Sequence, residues 1–188
     1  MIVGWLDALL GRGKPAKPNL DALFALPSAA VTLQAATAFT PTGAGSVCFR
    51  PAEGGAFASL ERDVTELLGD VDVERSRDAY GYTWLLVRRP ADDVASLVTD
   101  LHGVNSSLEA AGFGPSLLCS LVTFTGSAGE RLAIVYLYKR GTFYPFAPLS
   151  GERRDNALEL QVRGALTGEL PVEEDLSRWF PVWGAPGL

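Results

Sequence analysis

Apolar side chains recur along this chain at spacings that predict helices and strands in turn. Steps of three and four residues over residues 54–68, with Gly69 following, predict an amphipathic helix that leaves its charged side chains in water. The same period predicts a second helix that ends before Gly112, Gly114 and Pro115. Its apolar face consists of Val94, Leu97, Val98, Leu101, Val104 and Leu108.

Strands are predicted where β-branched and aromatic residues cluster. We expect strands at residues 46–50, near residues 71–77 and at residues 83–87, followed by a hairpin over residues 117–140 that turns at residues 126–129. Nearer the amino terminus, Asn19 can cap a short helix that stops at Pro27. The run AAVTLQAA after it is compatible with a strand, and TPTGAG then reads as a turn.

Charged residues frame the last predicted helices. A helix is expected from about Arg153 to Leu166, where solvated acids would pair with neighbouring bases and complement the helix dipole. A short acidic helix is then expected before the aromatic ending RWFPVWGAPGL. The acids concerned are Glu152, Asp155 and Glu159 in the first helix and Glu173, Glu174 and Asp175 in the second.

The order of these elements predicts an α+β fold in which helices cover a mainly antiparallel sheet. This arrangement is similar to that of small secretion-chaperone-like domains, an analogy of fold that carries no function. Three regions are expected: residues 1–18 as an amphipathic helix and basic linker, 19–170 as the α+β domain, and 171–188 as an acidic helix and aromatic tail.

The amino-terminal region differs in charge from the rest. Residues 1–19 carry three basic and one acidic side chain, whereas the remainder carries 13 basic and 21 acidic ones. A helix there would present an apolar face to a membrane surface or to a protein partner, or would pack back onto the domain. The residues of that face are Ile2, Trp5, Leu6, Leu9 and Leu10.

Composition narrows the classes of function. The 188 residues are 47% hydrophobic, enough for a sizeable core, and the net charge of -6 disfavours binding to nucleic acid. Cys48 and Cys119 both lie in apolar runs and form no recognisable disulfide framework, so we expect inert core thiols. No uninterrupted apolar stretch of transmembrane length and no secretory signal stands out, which predicts a cytoplasmic protein.

The sequence offers little for catalysis. His102 is the single histidine and has no second ligand at metal-binding spacing, so neither a metal nor another cofactor is expected. No nucleophile elbow surrounds a serine, and TPTGAGSVCF lacks the lysine of a phosphate-binding loop.

Aromatic and basic residues remain as candidates for a contact surface. Aromatic side chains and arginine concentrate at protein interfaces, although the same rings could form the core at a bend of the chain. The candidates are Lys139, Arg140, Phe143, Tyr144, Phe146, Arg153, Arg154, Trp179, Phe180 and Trp183.

Long strings of the sequence resemble a known family. They are NLDALFALPSAAVTLQAAT (19–37), YGYTWLLVRRP (80–90), TDLHGVNSSLEAAGFGPSLLCSLV (99–122), YLYKRGTFYPFAPL (136–149), ERRDNALELQ (152–161) and DLSRWFPVWGAPGL (175–188). They are similar to PspAB, a PspA-associated protein of phage-shock-type envelope stress systems in actinobacteria and some archaea. The resemblance implies association with PspA, a membrane-remodelling coiled-coil protein, with PspAA, and with an HtpX-type membrane protease. It supplies no catalytic residues.

These observations favour a non-enzymatic adaptor that binds protein partners at the cytoplasmic face of the membrane. One alternative is a small-ligand-binding protein or enzyme, with a pocket near Tyr82, Tyr138 and Tyr144 in which Arg153 or Arg154 grips an anion. Another is a chaperone-like homodimer that holds a client segment.

Overall fold

A six-stranded antiparallel sheet forms the centre of the protein in a computed structural model that describes residues 18–52 and 54–188. Its strands lie in the order β2-β3-β1-β4-β5-β6, and every neighbouring pair is antiparallel. The expected α+β class with an antiparallel sheet is thereby confirmed. The strands are β1 (Thr40–Phe49), β2 (Asp72–Arg77), β3 (Thr83–Arg88), β4 (Leu117–Thr125), β5 (Arg131–Leu137) and β6 (Thr142–Phe146).

Helices cover one face of the sheet. One of them, α3 (Val94–Leu108), crosses β1 so closely that a Cβ atom at Gly45 would lie 2.9 Å from Cδ1 of Leu101. Glycine at this strand position therefore permits the contact between helix and sheet. The helices of the described chain are α1 (Leu26–Thr37), α2 (Gly55–Leu68), α3 (Val94–Leu108) and α4 (Asn156–Leu166).

Residues 171–188, here called the C-terminal tail, cover the opposite face. Alternation along β4 sends Val122 and Phe124 into the core under the helices, and Cys119 and Leu121 into a second cluster with Trp179 of the tail. Because both faces are covered, β4 is buried almost throughout, as a strand between two layers should be. The protein therefore has three layers: helices, sheet and tail.

The predicted strand at residues 29–36 is wrong, because these residues belong to α1. The short helix expected after Asn19 is a 3-10 helix, Leu20–Ala25, in which the Asn19 side chain makes no capping hydrogen bond, and it runs directly into α1. Pro27 lies in the first turn of α1, where a missing N–H costs nothing, and so does not mark the end of helical structure. Leu26, Ala30 and Leu33 recur at helical spacing and are buried. Residues Leu20–Thr37 meet a criterion of length and mean hydropathy, 1.2, for a membrane span, and 28% of this window is buried in the fold.

The predicted turn at TPTGAG is also wrong, since these residues form the first half of β1. The register against β4 shifts between Pro41 and Gly45, which marks a bulge. At Gly43 the backbone φ is +81° and a Cβ atom would meet the Arg89 carbonyl oxygen at 2.1 Å. Gly43 and Pro41 thus lie at an irregularity within a strand and not in a turn.

The C-terminal elements begin later than expected. Asp155 caps α4 by accepting a hydrogen bond from the Leu158 N–H at 3.0 Å. The preceding arginines form a two-residue strand, β8 (Arg153–Arg154), which pairs with β7 (Pro148–Leu149). The expected final helix is reduced to a single 3-10 turn at Leu176–Arg178, so most of the tail is extended or irregular.

Candidate docking site and the C-terminal tail

The edge of β6 binds the chain's own C-terminal tail. The Phe143 N–H donates to the Pro171 carbonyl at 2.9 Å, and the Glu173 N–H donates to the Phe143 carbonyl at 2.7 Å. Phe143 and Val172 thus form a parallel bridge. The tail covers backbone groups that an exposed edge strand would offer to other chains.

Glu173 is the buried charge at this junction. Only 2% of its side chain is exposed, and it accepts hydrogen bonds from the Arg140 guanidinium, from the Thr142 hydroxyl at 2.8 Å and from the Asp175 N–H at 3.1 Å. Burial alone would raise its pKa, but these donors outweigh burial and hold the pKa of Glu173 below its usual range. The expectation that Glu173 lies in a solvated first turn is therefore wrong.

Aromatic rings from β6 and the tail pack against each other on the sheet. Tyr144 stacks on Trp179 with 6.0 Å between ring centroids, and Phe146 meets Trp183 edge to face at 4.8 Å. The Tyr144 hydroxyl donates to the Phe180 carbonyl at 2.7 Å, and the Trp179 indole N–H donates to the Glu173 carbonyl at 3.0 Å. Both polar groups of these rings thus hold tail backbone in place.

Arg154 joins α4 to the tail. Its Nε donates to Glu159 at 2.8 Å, one terminal nitrogen donates to the Trp179 carbonyl, and the guanidinium carbon lies 5.0 Å from the centre of the Phe146 ring. Glu159 is only 3% exposed and also accepts from the Ala147 N–H at 2.9 Å. Glu159 is therefore a buried structural carboxylate and not the solvated one that the sequence predicts.

Most of the predicted contact residues are part of this intramolecular junction. Phe143, Tyr144, Phe146 and Trp179 are buried, and Trp183 is half-buried, so these rings form core in the described structure. Arg140 and Arg154 hold carboxylates within the fold. Three predicted residues remain exposed to a partner: Lys139, Arg153 and Phe180. The predicted membrane-facing residues, Ile2, Trp5, Leu6, Leu9 and Leu10, lie outside the described residues.

A groove of about 330 Å³ runs between α4 and the tail. Leu160 and Leu176 line it with exposed fractions of 51% and 52%, and Phe180, which is 56% exposed, follows the lining residue Trp179 in the chain. Leu160 and Leu176 are not among the contact residues predicted from the sequence. Leu160 could have been predicted, because it is an apolar residue that lies outside the apolar face of α4 defined by Leu158, Val162 and Leu166. The groove is lined by Arg154, Asn156, Glu159, Leu160, Leu176 and Trp179.

A second cavity, of about 420 Å³, lies at the other side of the sheet beside Tyr138 and Lys139. The Tyr138 hydroxyl donates to Glu109 at 2.8 Å, and burial together with this carboxylate raises the pKa of Tyr138 to about 12. Tyr138 packs with the core under the helices, whereas Tyr82 and Tyr144 belong to the tail side. The sheet thus separates the three tyrosines that the alternative pocket hypothesis groups together.

Asp21, His102 and Ser106 form a chain of hydrogen bonds that has the composition of a catalytic triad. Each contact to the imidazole measures 3.3 Å, but the Asp21 side chain is 86% exposed and His102 and Ser106 lie one turn apart on α3. Backbone N–H groups inside a helix are already bonded, so none is available to stabilise an oxyanion. Neither cavity described above includes these residues. Among the described residues, no group of three His, Cys, Asp or Glu side chains could hold a metal ion.

The geometry defines an α+β protein whose sheet is covered on one face by its own aromatic tail and which has an exposed groove where that tail meets α4. Comparison with protein families matches residues 3–187 to the family PspAB, PspA associated protein B. The chain belongs to this family, and the family's description associates it with PspA. Comparisons with curated proteins and with solved structures find no significant match.

Replacing Glu173 with glutamine (Glu173→Gln) should lower the free energy of unfolding at pH 7 by roughly 1.5 to 3 kcal/mol, because charge-assisted hydrogen bonds are lost. The folded-state pKa of Glu173 is lowered, so its stabilising effect is complete above the unfolded value of about 4.3 and disappears as the pH falls through the folded-state pKa. The difference between wild type and Glu173→Gln should therefore stay constant from pH 7 down to about pH 4.3 and shrink as the pH falls further. Urea denaturation at a series of pH values measures it.

The neighbouring Glu174 supplies the control, because it is exposed and undergoes the same change of charge in Glu174→Gln. This variant should unfold like the wild type at every pH. Equal effects of the two substitutions would mean that Glu173 has no special role in the junction.

Two glycines in the tail test how closely it contacts the sheet. Gly187 and Gly184 both have positive φ, but a Cβ atom at Gly187 would lie 3.0 Å from Leu86 and 3.1 Å from Ala44, whereas Gly184 faces open space. Gly187→Ala should therefore make the tail more susceptible to limited proteolysis than Gly184→Ala does, since the backbone strain of alanine is common to both. Equal cleavage of the two variants would contradict the contact.

Proposed function

We propose that this protein is a non-enzymatic adaptor of a PspA-linked envelope stress response, and that it binds PspA through the groove between α4 and the tail. Membership of the PspAB family supports the choice of partner. The observation that carries the choice of surface is the exposure of Leu160 and Leu176 in one groove, with exposed Phe180 next to its lining residue Trp179 in the chain.

Exposed apolar side chains are common singly but informative when they surround a concave surface. Each of these three residues is about half exposed, and Trp179 also lines the groove. Tryptophan is enriched among the residues that contribute most of the binding energy at an interface. A partner that filled this groove would bury them without unfolding the tail.

The shape of the groove favours an amphipathic helix as the bound element. A groove with α4 along one wall accepts the apolar face of a helix, whose anchors recur every three or four residues. The resemblance described above implies a coiled-coil PspA, which would offer such faces. Arg153 is exposed three residues before the start of α4 and would meet acidic residues at the rim of the partner helix.

The membrane part of the proposal is that binding takes place at the cytoplasmic face. It is supported by the amphipathic pattern of Ile2, Trp5, Leu6, Leu9 and Leu10, together with the basic residues that follow. These residues lie outside the described ones, so the proposal rests on their sequence alone.

Binding to purified PspA from the same organism tests the groove directly. Leu176→Asp and Phe180→Asp should each weaken binding about tenfold or more, because a carboxylate would have to be desolvated in an apolar contact. Isothermal titration calorimetry measures the affinity, and circular dichroism checks that each variant is folded.

Leu67→Asp is the matched control, since Leu67 is 63% exposed on α2, on the helical side of the sheet. It should bind PspA like the wild type. Unchanged binding by both groove variants, or an equal loss in Leu67→Asp, would reject the groove as the docking site.

Arg140 is a poor probe of docking, although the sequence places it beside the exposed Lys139. Arg140→Glu would set a second carboxylate against buried Glu173 and would destabilise the tail. A loss of binding in that variant would report on folding, whereas Lys139→Glu changes an exposed charge alone.

A further inference from the structure

The two cysteines of the chain face each other across neighbouring strands. Cys48 of β1 is the direct partner of Cys119 of β4 in the antiparallel register, and both belong to the cluster on the tail side of the sheet. Residues directly opposite in an antiparallel pair have Cα atoms about 4.5 to 5.5 Å apart. A disulfide requires about 4.4 to 6.8 Å, so the pairing of the strands brings the two cysteines within the Cα spacing that a disulfide needs.

Both thiols are free and lie beneath the tail. Cys48 is 2% exposed and Cys119 is 9% exposed, in a cluster that also contains Tyr144 and Trp179. A hydrogen bond with Cys119, together with burial, raises the pKa of Cys48, so little reactive thiolate exists while the tail is docked. The inert character expected from the sequence is thus a property of the closed structure.

We propose that Cys48 and Cys119 are a redox pair that a low-molecular-weight disulfide oxidises to an internal disulfide when the C-terminal tail lifts from the sheet. Cys119 is the more exposed thiol and reacts first: its thiolate attacks one sulfur of the small disulfide and forms a mixed disulfide. One small thiolate leaves and takes up a proton.

The second half of the reaction occurs within the chain. The Cys48 thiolate attacks the Cys119 sulfur of the mixed disulfide and expels the second small thiolate, which is also protonated. Two protein thiols thereby lose two electrons and two protons in total, and the small disulfide is reduced to two thiols. The product is a covalent link between β1 and β4 at the centre of the sheet.

Tail opening should control the rate of this reaction. The tail is held by local contacts that can open without unfolding the sheet, and reagents reach buried groups through such openings. The rate of oxidation would therefore depend on how often the tail opens. Whether β1 and β4 are linked covalently would depend on the redox potential of the compartment. This inference does not depend on the proposed partner.

Incubation of the full chain with oxidised glutathione, followed by intact-mass and peptide analysis, tests the proposal. The wild type should lose two hydrogens and carry a linkage between the peptides of Cys48 and Cys119. Cys48→Ser should instead accumulate one glutathione on Cys119, because the resolving thiol is missing. Gly187→Ala should oxidise about tenfold faster than Gly184→Ala, in proportion to its more frequent tail opening.

Trp179→Phe gives a second, milder way to loosen the tail, since it removes the indole donor to Glu173 and keeps an aromatic ring. It should also oxidise faster than the wild type. Glutathione on both cysteines without an internal link, disulfides formed only between chains, or equal rates in all the variants would each overturn the proposal.

Discussion

The contact between the C-terminal tail and the second face of the sheet is the interaction on which the other features depend. An antiparallel sheet with apolar residues on both faces must bury both, and helices cover only one face here. The tail has little regular structure of its own, so specific anchors hold it. Glu173 binds Arg140 and Thr142, and Trp179 packs on Tyr144. Arg154 links Glu159 of α4 to the Trp179 carbonyl.

This arrangement changes the meaning of the aromatic and basic residues near β6. In the sequence they form a cluster typical of an interface, and in the structure they do form one, with the tail of the same chain. The junction leaves exposed the groove between α4 and the tail and the side chains of Leu160, Leu176 and Phe180. In the proposed function, folding and docking thus use adjacent surfaces of one segment.

Sequence patterns predicted the elements whose signals are local. The helices α2 and α3 and the hairpin of β4 and β5 follow from their periodicity and lie where they were expected. The predictions failed at Pro27, which lies in the first turn of a helix, and at Gly43, which lies in a β-bulge. The role of each residue depends on its position in the helix or on the neighbouring strand, which the local sequence does not show. The burial of Glu173 and the pairing of Cys48 with Cys119 result from contacts between segments distant in sequence.

Hydrogen exchange of the intact chain, measured by mass spectrometry, shows directly whether the C-terminal tail is docked on the sheet. We expect the N–H groups of Phe143 and Glu173, which bond across the junction, to exchange far more slowly than those of an unfolded peptide. Peptides covering residues 171–188 should show protection together with β6. Exchange of the whole tail at the rate of an unfolded peptide, while β4 and β5 stay protected, would contradict the account.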